Sequence, residues 1–282
     1  MKSSIFVLPR GDMTFMEAID YAKQTSIDAI EPYPTAELAA PDVDAAKRIR
    51  DYAMEQGIAI SCFSMGVDLA GDGRREGVEI VKKYARVAAA LGSPLLHHTI
   101  YPYLDFGHGS LPFARAMKRA VESVREIYDC AAELGVMDVC ENQGLYFNGV
   151  QRFDDFLGEL NRDMGVVLDV GNIFFVGETP EAFAARFASR ICHVHVKDYL
   201  RKDASWPYPG EGWYTARDGA FLRDTVIGHG AVRYPRIFSI LRDVGYSGYF
   251  SLEYSAPEPV EMAIPQSLAY LARCEKMAVL EK

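Results

Sequence analysis

The sequence predicts a single α/β domain, a (β/α)8 TIM barrel over residues 1–282. Three observations carry this. Short apolar, β-branched runs alternate with helical stretches eight times, and such alternation builds a parallel sheet that eight units close into a barrel. Several of these runs end in an acidic residue or a histidine, at the strand ends where barrels carry their chemistry. No linker, low-complexity segment or change of composition divides the chain.

Residues 4–8 read as the first strand, and residues 14–24 as a helix with Phe15, Ala18, Ile19 and Ala22 on one face. Residues 28–32 form a second strand ended by Pro32. Asp42 opens a helix that Gly57 stops. A strand at 58–63, a helix at 75–91 before Gly92, and a strand at 95–100 follow. The next helix, 111–134, is closed by Gly135. Strand five, 136–141, ends in Glu141, and a helix covers 150–160. Strand six, 166–169, ends in Asp169. Thr179 caps a short helix at 180–188. Strand seven, 191–198, carries His193 and His195. A helix at 234–244 precedes Gly245, strand eight runs 249–253 to Glu253, and a helix over 259–278 closes the chain.

One connection departs from this rhythm. Residues 199–232 show no helical periodicity and hold both tryptophans, Trp206 and Trp213, among prolines and glycines. We read a long loop after strand seven. A loop of this length in a compact domain is usually functional, so it is expected over the barrel mouth, with Trp206 or Trp213 against substrate or in a subunit contact.

With 30 basic against 39 acidic residues the formal charge is −9, a poor match to nucleic acid. Five cysteines without a CxxC pair suit free thiols in a reducing compartment. The N-terminus shows no leader-like apolar segment and no run approaches the ~20 residues of a membrane span. The expectation is a cytoplasmic protein with a small-molecule substrate, no nucleic-acid or membrane partner, and self-association as the open question.

His193 and His195 share one face of their strand because side chains alternate. Glu141, Asp169 and Glu253 each end a mostly apolar run. Three carboxylates at one barrel mouth repel unless a cation holds them, and with one imidazole they suit one divalent ion, Mn²⁺ first, with Mg²⁺, Co²⁺ or Zn²⁺ as alternatives. His193 reads as core or as a support for this set. Of His97 and His98, alternation lets one face inward to meet substrate. Glu31 either binds a substrate hydroxyl or pairs with a neighbouring arginine.

Glu141-Asn142, Leu168-Asp169-Val170-Gly171-Asn172, His193-Val194-His195-Val196-Lys197-Asp198, Gly228-His229-Gly230-Ala231-Val232 and Leu252-Glu253 occur in that order. The set resembles the xylose isomerase-like TIM barrels, the sugar phosphate isomerase/epimerase superfamily. Ketose 3-epimerases, hydroxypyruvate isomerase, inosose dehydratase and, more distantly, endonuclease IV belong to it. The resemblance implies that Glu141, Asp169, His195 and Glu253 are metal ligands and that Glu141 and Glu253 also move protons. It implies a substrate contact for Arg201. Asn172 stands where ketose epimerases place a substrate-binding histidine, and His229 where an acidic or amide residue is common. Arg201, Asn172, His97, Glu31, Trp206, Trp213 and His229 are therefore the expected substrate-binding residues.

The expected activity is metal-dependent isomerisation or epimerisation of a sugar or sugar phosphate by proton transfer through an enediolate. A dehydratase of a cyclic polyol is the alternative on the same scaffold. An endonuclease IV-like phosphodiesterase fits less well, because six histidines and an acidic chain offer neither a metal cluster nor a basic groove. A sugar-binding barrel without turnover is the non-enzymatic alternative.

Overall fold

The computed structural model describes residues 1–6, 13–104 and 111–280. Its elements run β1 (Lys2–Phe6), α1 (Phe15–Gln24), β2 (Ala29–Glu31), α2 (Val43–Gln56), β3 (Ala59–Ile60), β4 (Phe63–Met65), α3 (Arg74–Leu91), β5 (Leu95–His98), α4 (Phe113–Glu133), β6 (Met137–Glu141), α5 (Val150–Leu160), β7 (Gly165–Asp169), α6 (Pro180–Phe187), β8 (Ile191–Val196), β9 (Asp198–Lys202), β10 (Tyr214–Thr215), β11 (Phe221–Thr225), α7 (Tyr234–Asp243), β12 (Tyr249–Leu252) and α8 (Val260–Leu280). Val7 and Leu8, expected in the first strand, lie outside the described residues.

The helices start and stop where local chemistry says they should. Thr14 and Glu17 form a reciprocal capping box on α1. The Asp42 carboxylate accepts from the Asp44 and Ala45 amides at 2.9 Å, satisfying two N–H groups that have no partner within α2. Gly57 ends α2 at φ 73°, a conformation that costs other residues a Cβ clash.

Nine strands follow the order β3-β2-β1-β12-β8-β7-β6-β5-β4, and all their pairings are parallel. Of the two terminal strands, β3 lies within the strand predicted at 58–63 and β4 begins at its last residue, Phe63, with Ser61 and Cys62 between them. The sheet therefore comes round to its own start. Amides of Ser61 and Ser64 donate to the carbonyls of Ile30 and Pro32 at 3.0 and 2.9 Å and stitch this seam.

The main core lies between sheet and helices. Phe153 of α5 is fully buried, with its ring centroid 5.2 Å from that of Phe183 and 5.4 Å from that of Phe187. Truncating such an aromatic costs about 3–5 kcal/mol through lost burial and the cavity left behind. A separate small cluster of Cys62, Leu95, Val139 and Val167 comes from the strands themselves. On β5, His98 and His97 face opposite ways. His98 stands 3.2 Å from the fully buried Asp138 carboxylate and 3.9 Å from the Cys140 sulfur, whereas His97 meets Ser64.

The stretch read as a long loop without helix holds a small antiparallel sheet, in the order β10-β11-β9. It leaves β8 through Lys197 and packs on the 3-10 turn Asn172–Val176 that follows β7. The Arg217 amide donates to Phe175 O at 2.8 Å, and the Phe175 ring meets those of Tyr199 and Tyr214. Asp198 gathers the return: its carboxylate accepts from the amides of Tyr199, Gly228, Gly230 and Val232 at 2.9–3.1 Å. Among the described residues no helix is long and apolar enough to cross a membrane.

Candidate metal centre and active site

Glu141 and Asp169 are the last residues of β6 and β7, His195 is the penultimate residue of β8, and Glu253 follows β12 directly, held in register by its amide donating to Val196 O at 3.1 Å. A parallel barrel puts these ends on one rim. One donor atom from each of the four lies within 4.8 Å of the other three, about the greatest separation of two donors sharing an ion at bonds of roughly 2.0–2.4 Å. His195 Nδ1 is 3.1 Å from Glu141 Oε2 and 3.5 Å from Glu253 Oε2.

Below this set, Glu31 joins two histidines. Its Oε1 is 2.9 Å from His195 Nε2, and its Oε2 is 2.8 Å from His193 Nε2. The Ser64 hydroxyl also donates to Glu31 Oε1 and stands 3.0 Å from His97 Nδ1. His97 Nε2 is 3.6 Å from Glu141 Oε1 and makes no hydrogen bond. His97 and not His98 thus faces the site. Glu31 holds imidazoles rather than an arginine, which corrects one of its two expected roles.

Lys197 adds a cation that the sequence reading did not place in the site. Its Nζ is 3.0 Å from Asp169 Oδ2 and 2.8 Å from Glu253 Oε1, and 3.5 Å from Asn172 Oδ1. The signal was present, since Lys197 is two residues beyond His195 and shares its face. Gly171 makes room for it: a Cβ there would lie 2.5 Å from Lys197 Cγ.

Burial governs the charges. It pushes the Glu141 and Asp169 carboxyls above their ordinary range, against the pull of His195 and Lys197 respectively. It also works against charge on His195, but Glu31 and Glu141 outweigh it and hold that imidazole's pKa well above the usual value. For Lys197 burial is likewise outweighed, by Asp169 and Glu253, and its pKa is raised.

The donors fit a hard divalent ion: three carboxylates and one imidazole. Asp169 Oδ1 accepts from the amides of Gly171 and Asn172 at 2.8 and 2.7 Å, while among the described residues the buried Oδ2 is partnered by the Lys197 ammonium alone, at 3.0 Å. That leaves lone-pair capacity on Oδ2, and three clustered carboxylates beside one imidazole are a donor set that a divalent ion would satisfy. Two other groups have donors equally close, Glu31 with Cys62 and His193, and Glu31 with His97 and His195. In both, the Glu31 oxygens are already committed to hydrogen bonds.

The remaining expected residues divide. Asn172 is buried beside Lys197, with its Nδ2 unpartnered. Arg201 is exposed on β9 and pairs with Asp218 at 2.6 Å. His229 is exposed in the turn tied to Asp198. Trp206 is exposed and Trp213 half-buried, both flanking Lys202 Nζ, at 4.3 and 5.6 Å from their rings.

Comparison with known proteins gives consistent results. The profile of the family described as xylose isomerase-like TIM barrel matches residues 19–274. An inosose dehydratase of Bacillus cereus (strain AH820) is 31% identical over 112 residues, which cover 39% of this chain and 36% of that protein. The match therefore spans about a third of the curated relative. The apo crystal structure of 3-keto-D-glucoside 4-epimerase from E. coli superposes with a TM-score of 0.76 at 17% identity, covering 97% of this chain and 100% of that one. A xylose isomerase-like TIM barrel protein from Mycobacterium smegmatis in complex with magnesium gives 0.70 at 18% identity, covering 95% and 91%. At these identities the structural likenesses show the fold.

Proposed function

The chain belongs to the xylose isomerase-like TIM barrel family, and on that premise we propose that it is a divalent-metal-dependent isomerase or epimerase of a sugar or sugar phosphate. The observation that carries the reading is the convergence of Glu141, Asp169, His195 and Glu253 on one volume at the barrel rim. These four residues would hold the ion, with Mn²⁺ as the first expectation. When bound, it polarises a substrate carbonyl as a Lewis acid and acidifies the neighbouring C–H.

The chain supplies the proton movements. The Glu253 side chain is 16% exposed and that of Glu141 3%, so Glu253 meets an entering substrate and takes its proton. Glu141 ends β6, separated in the sheet by β7 and β8 from the strand that leads to Glu253, and would return a proton from the other side. Return to the same carbon gives an epimer, and return to its neighbour gives the aldose–ketose isomer. The Asn172 Nδ2 and the Lys197 ammonium present hydrogen-bond donors to a substrate oxygen. The aromatic sheet after β8 limits water access while the substrate carries negative charge.

Dehydration of a cyclic polyol is the second reading, favoured by the inosose dehydratase match. It uses the same proton abstraction followed by loss of a β-hydroxyl. One experiment separates the two. Metal content is measured first, and ketoses, their phosphates and inososes are then incubated in D₂O and followed by proton NMR. Deuterium uptake with an isomeric product supports the first reading, and loss of water with an unsaturated product supports the second. A metal-loaded protein that does neither on the whole panel overturns both.

A further inference from the structure

The sequence Val196-Lys197-Asp198 joins a barrel strand to the antiparallel sheet, yet Lys197 turns inward. The residue is 6% exposed, and such lysines occur buried only when paired. The contacts with Asp169 and Glu253, at 3.0 and 2.8 Å, are close ammonium–carboxylate ion pairs, and Asn172 Oδ1 lies farther off, at 3.5 Å. Asp169 has one oxygen fixed by two backbone amides, so Oδ2, the atom beside the ammonium, is also the one it can offer to an ion.

We propose that Lys197 is the site's own counter-cation, competing with the divalent ion for Asp169 and Glu253; this rests on the metal-site reading above and extends it. Without the ion, one ammonium steadies two of three clustered carboxylates. With an ion in place, two positive groups would share the Asp169 and Glu253 carboxylates at close range and repel in a low-dielectric interior. The three carboxylates are then matched by three positive charges, two on the ion and one on Lys197. Among these rim groups, developing negative charge on substrate therefore meets no net negative charge. Lys197 is on this account a positioning residue that lowers metal affinity and keeps the site receptive to an anion.

The test is calorimetric titration of Mn²⁺ into the chelator-treated full chain, for the parent, Lys197→Met and Lys197→Arg. Thermal melting with and without Mn²⁺ runs in parallel. Lys197→Met should bind Mn²⁺ about tenfold or more tightly. It should melt below the parent when metal-free and gain more from the ion. Lys197→Arg, which keeps the charge, should stay close to the parent. If Lys197→Met does not fold, Lys197→Gln keeps a polar end in the pocket and should show the same tightening. A parent that binds no Mn²⁺ beside a Lys197→Met variant that does would also support the competition. Equal or weaker binding by the neutral variants would overturn the proposal while leaving the metal site standing. No divalent-ion binding by any of the proteins would overturn both.

Discussion

His195 Nε2 stands 2.9 Å from Glu31 Oε1, while His195 Nδ1 faces Glu141 and Glu253. With Nε2–H donating to Glu31, it is Nδ1 that faces the rim: its N–H donates to Glu141 Oε2 at 3.1 Å, and on giving up that proton it would offer its lone pair to an ion. A carboxylate behind a histidine fixes its tautomer and raises its basicity as a ligand. Burial would push the Glu31 pKa up, but His195 and His193 outweigh it and hold it well below the usual range, so Glu31 stays charged.

Glu31→Gln should therefore weaken divalent-ion binding by roughly 10–100-fold without removing a donor. Calorimetric titration checks this. An unchanged affinity would mean that His195 is oriented by packing against Phe6, whose ring centroid is 5.3 Å away, and not by Glu31.

Glu253→Gln should keep the fold and part of the metal affinity and lose about 10²–10⁴-fold in turnover, because an amide cannot accept the proton. Deuterium exchange into substrate is the readout. Retention of most activity would leave Glu253 as a donor to the ion only.

Much of this was legible in the sequence, for identifiable reasons. The eightfold alternation and the helix starts at Asp42 and Thr179 depend on local chemistry, and the structure has them. Glu141, Asp169, His195 and Glu253 could be brought together on paper because barrel strands end on one rim. The pairing of Glu31 with His193 was not legible. They are 162 residues apart, and the contact depends on which strands approach across the barrel interior. The β9–β11 sheet escaped because its short strands expose polar side chains such as Arg201 and Lys202 and lack a sustained apolar face. The family resemblance implied a substrate contact for Arg201; the chain changes sheets at Lys197, and Arg201 lies exposed on β9, paired with Asp218.

The His98–Asp138 pair lies off the site and predicts a pH dependence of stability. Burial works against a charged His98, but Cys140 and Asp138 outweigh it and raise its pKa well above the usual value. Burial raises that of Asp138. Both groups thus bind protons more tightly folded than unfolded. The His98 contribution is fully present below the unfolded histidine value, about 6.5, and is lost as pH rises through the folded one; that of Asp138 is full only below the unfolded aspartate value, about 3.9. Relative to a His98→Gln/Asp138→Asn double variant, the parent should show its largest urea-denaturation advantage near pH 6 and a smaller one near pH 9. An advantage that grows with pH would contradict this.

The antiparallel sheet leads to the last prediction. It is fixed at two sides of the rim: Arg217 bonds to Phe175 after β7, and Asp224 Oδ1 accepts from the Ser255 hydroxyl at 2.6 Å, two residues beyond Glu253. Between these anchors it carries exposed Trp206, Tyr208 and Tyr214, with Lys202 against both tryptophan rings. An indole offers a flat apolar surface to the C–H face of a sugar. Exposed aromatics grouped in this way also mark subunit contacts. Trp206→Ala and Trp213→Ala tell these apart. A lid over substrate loses kcat/KM, by about tenfold or more for a stacking ring (~1.4 kcal/mol), at unchanged assembly mass. A subunit contact loses the assembly, seen by light scattering, while any activity of the separated chain persists. The sheet's anchorage on both sides of the donor set favours the lid for at least one tryptophan. Normal turnover in both variants at unchanged mass would remove the sheet from the reaction altogether.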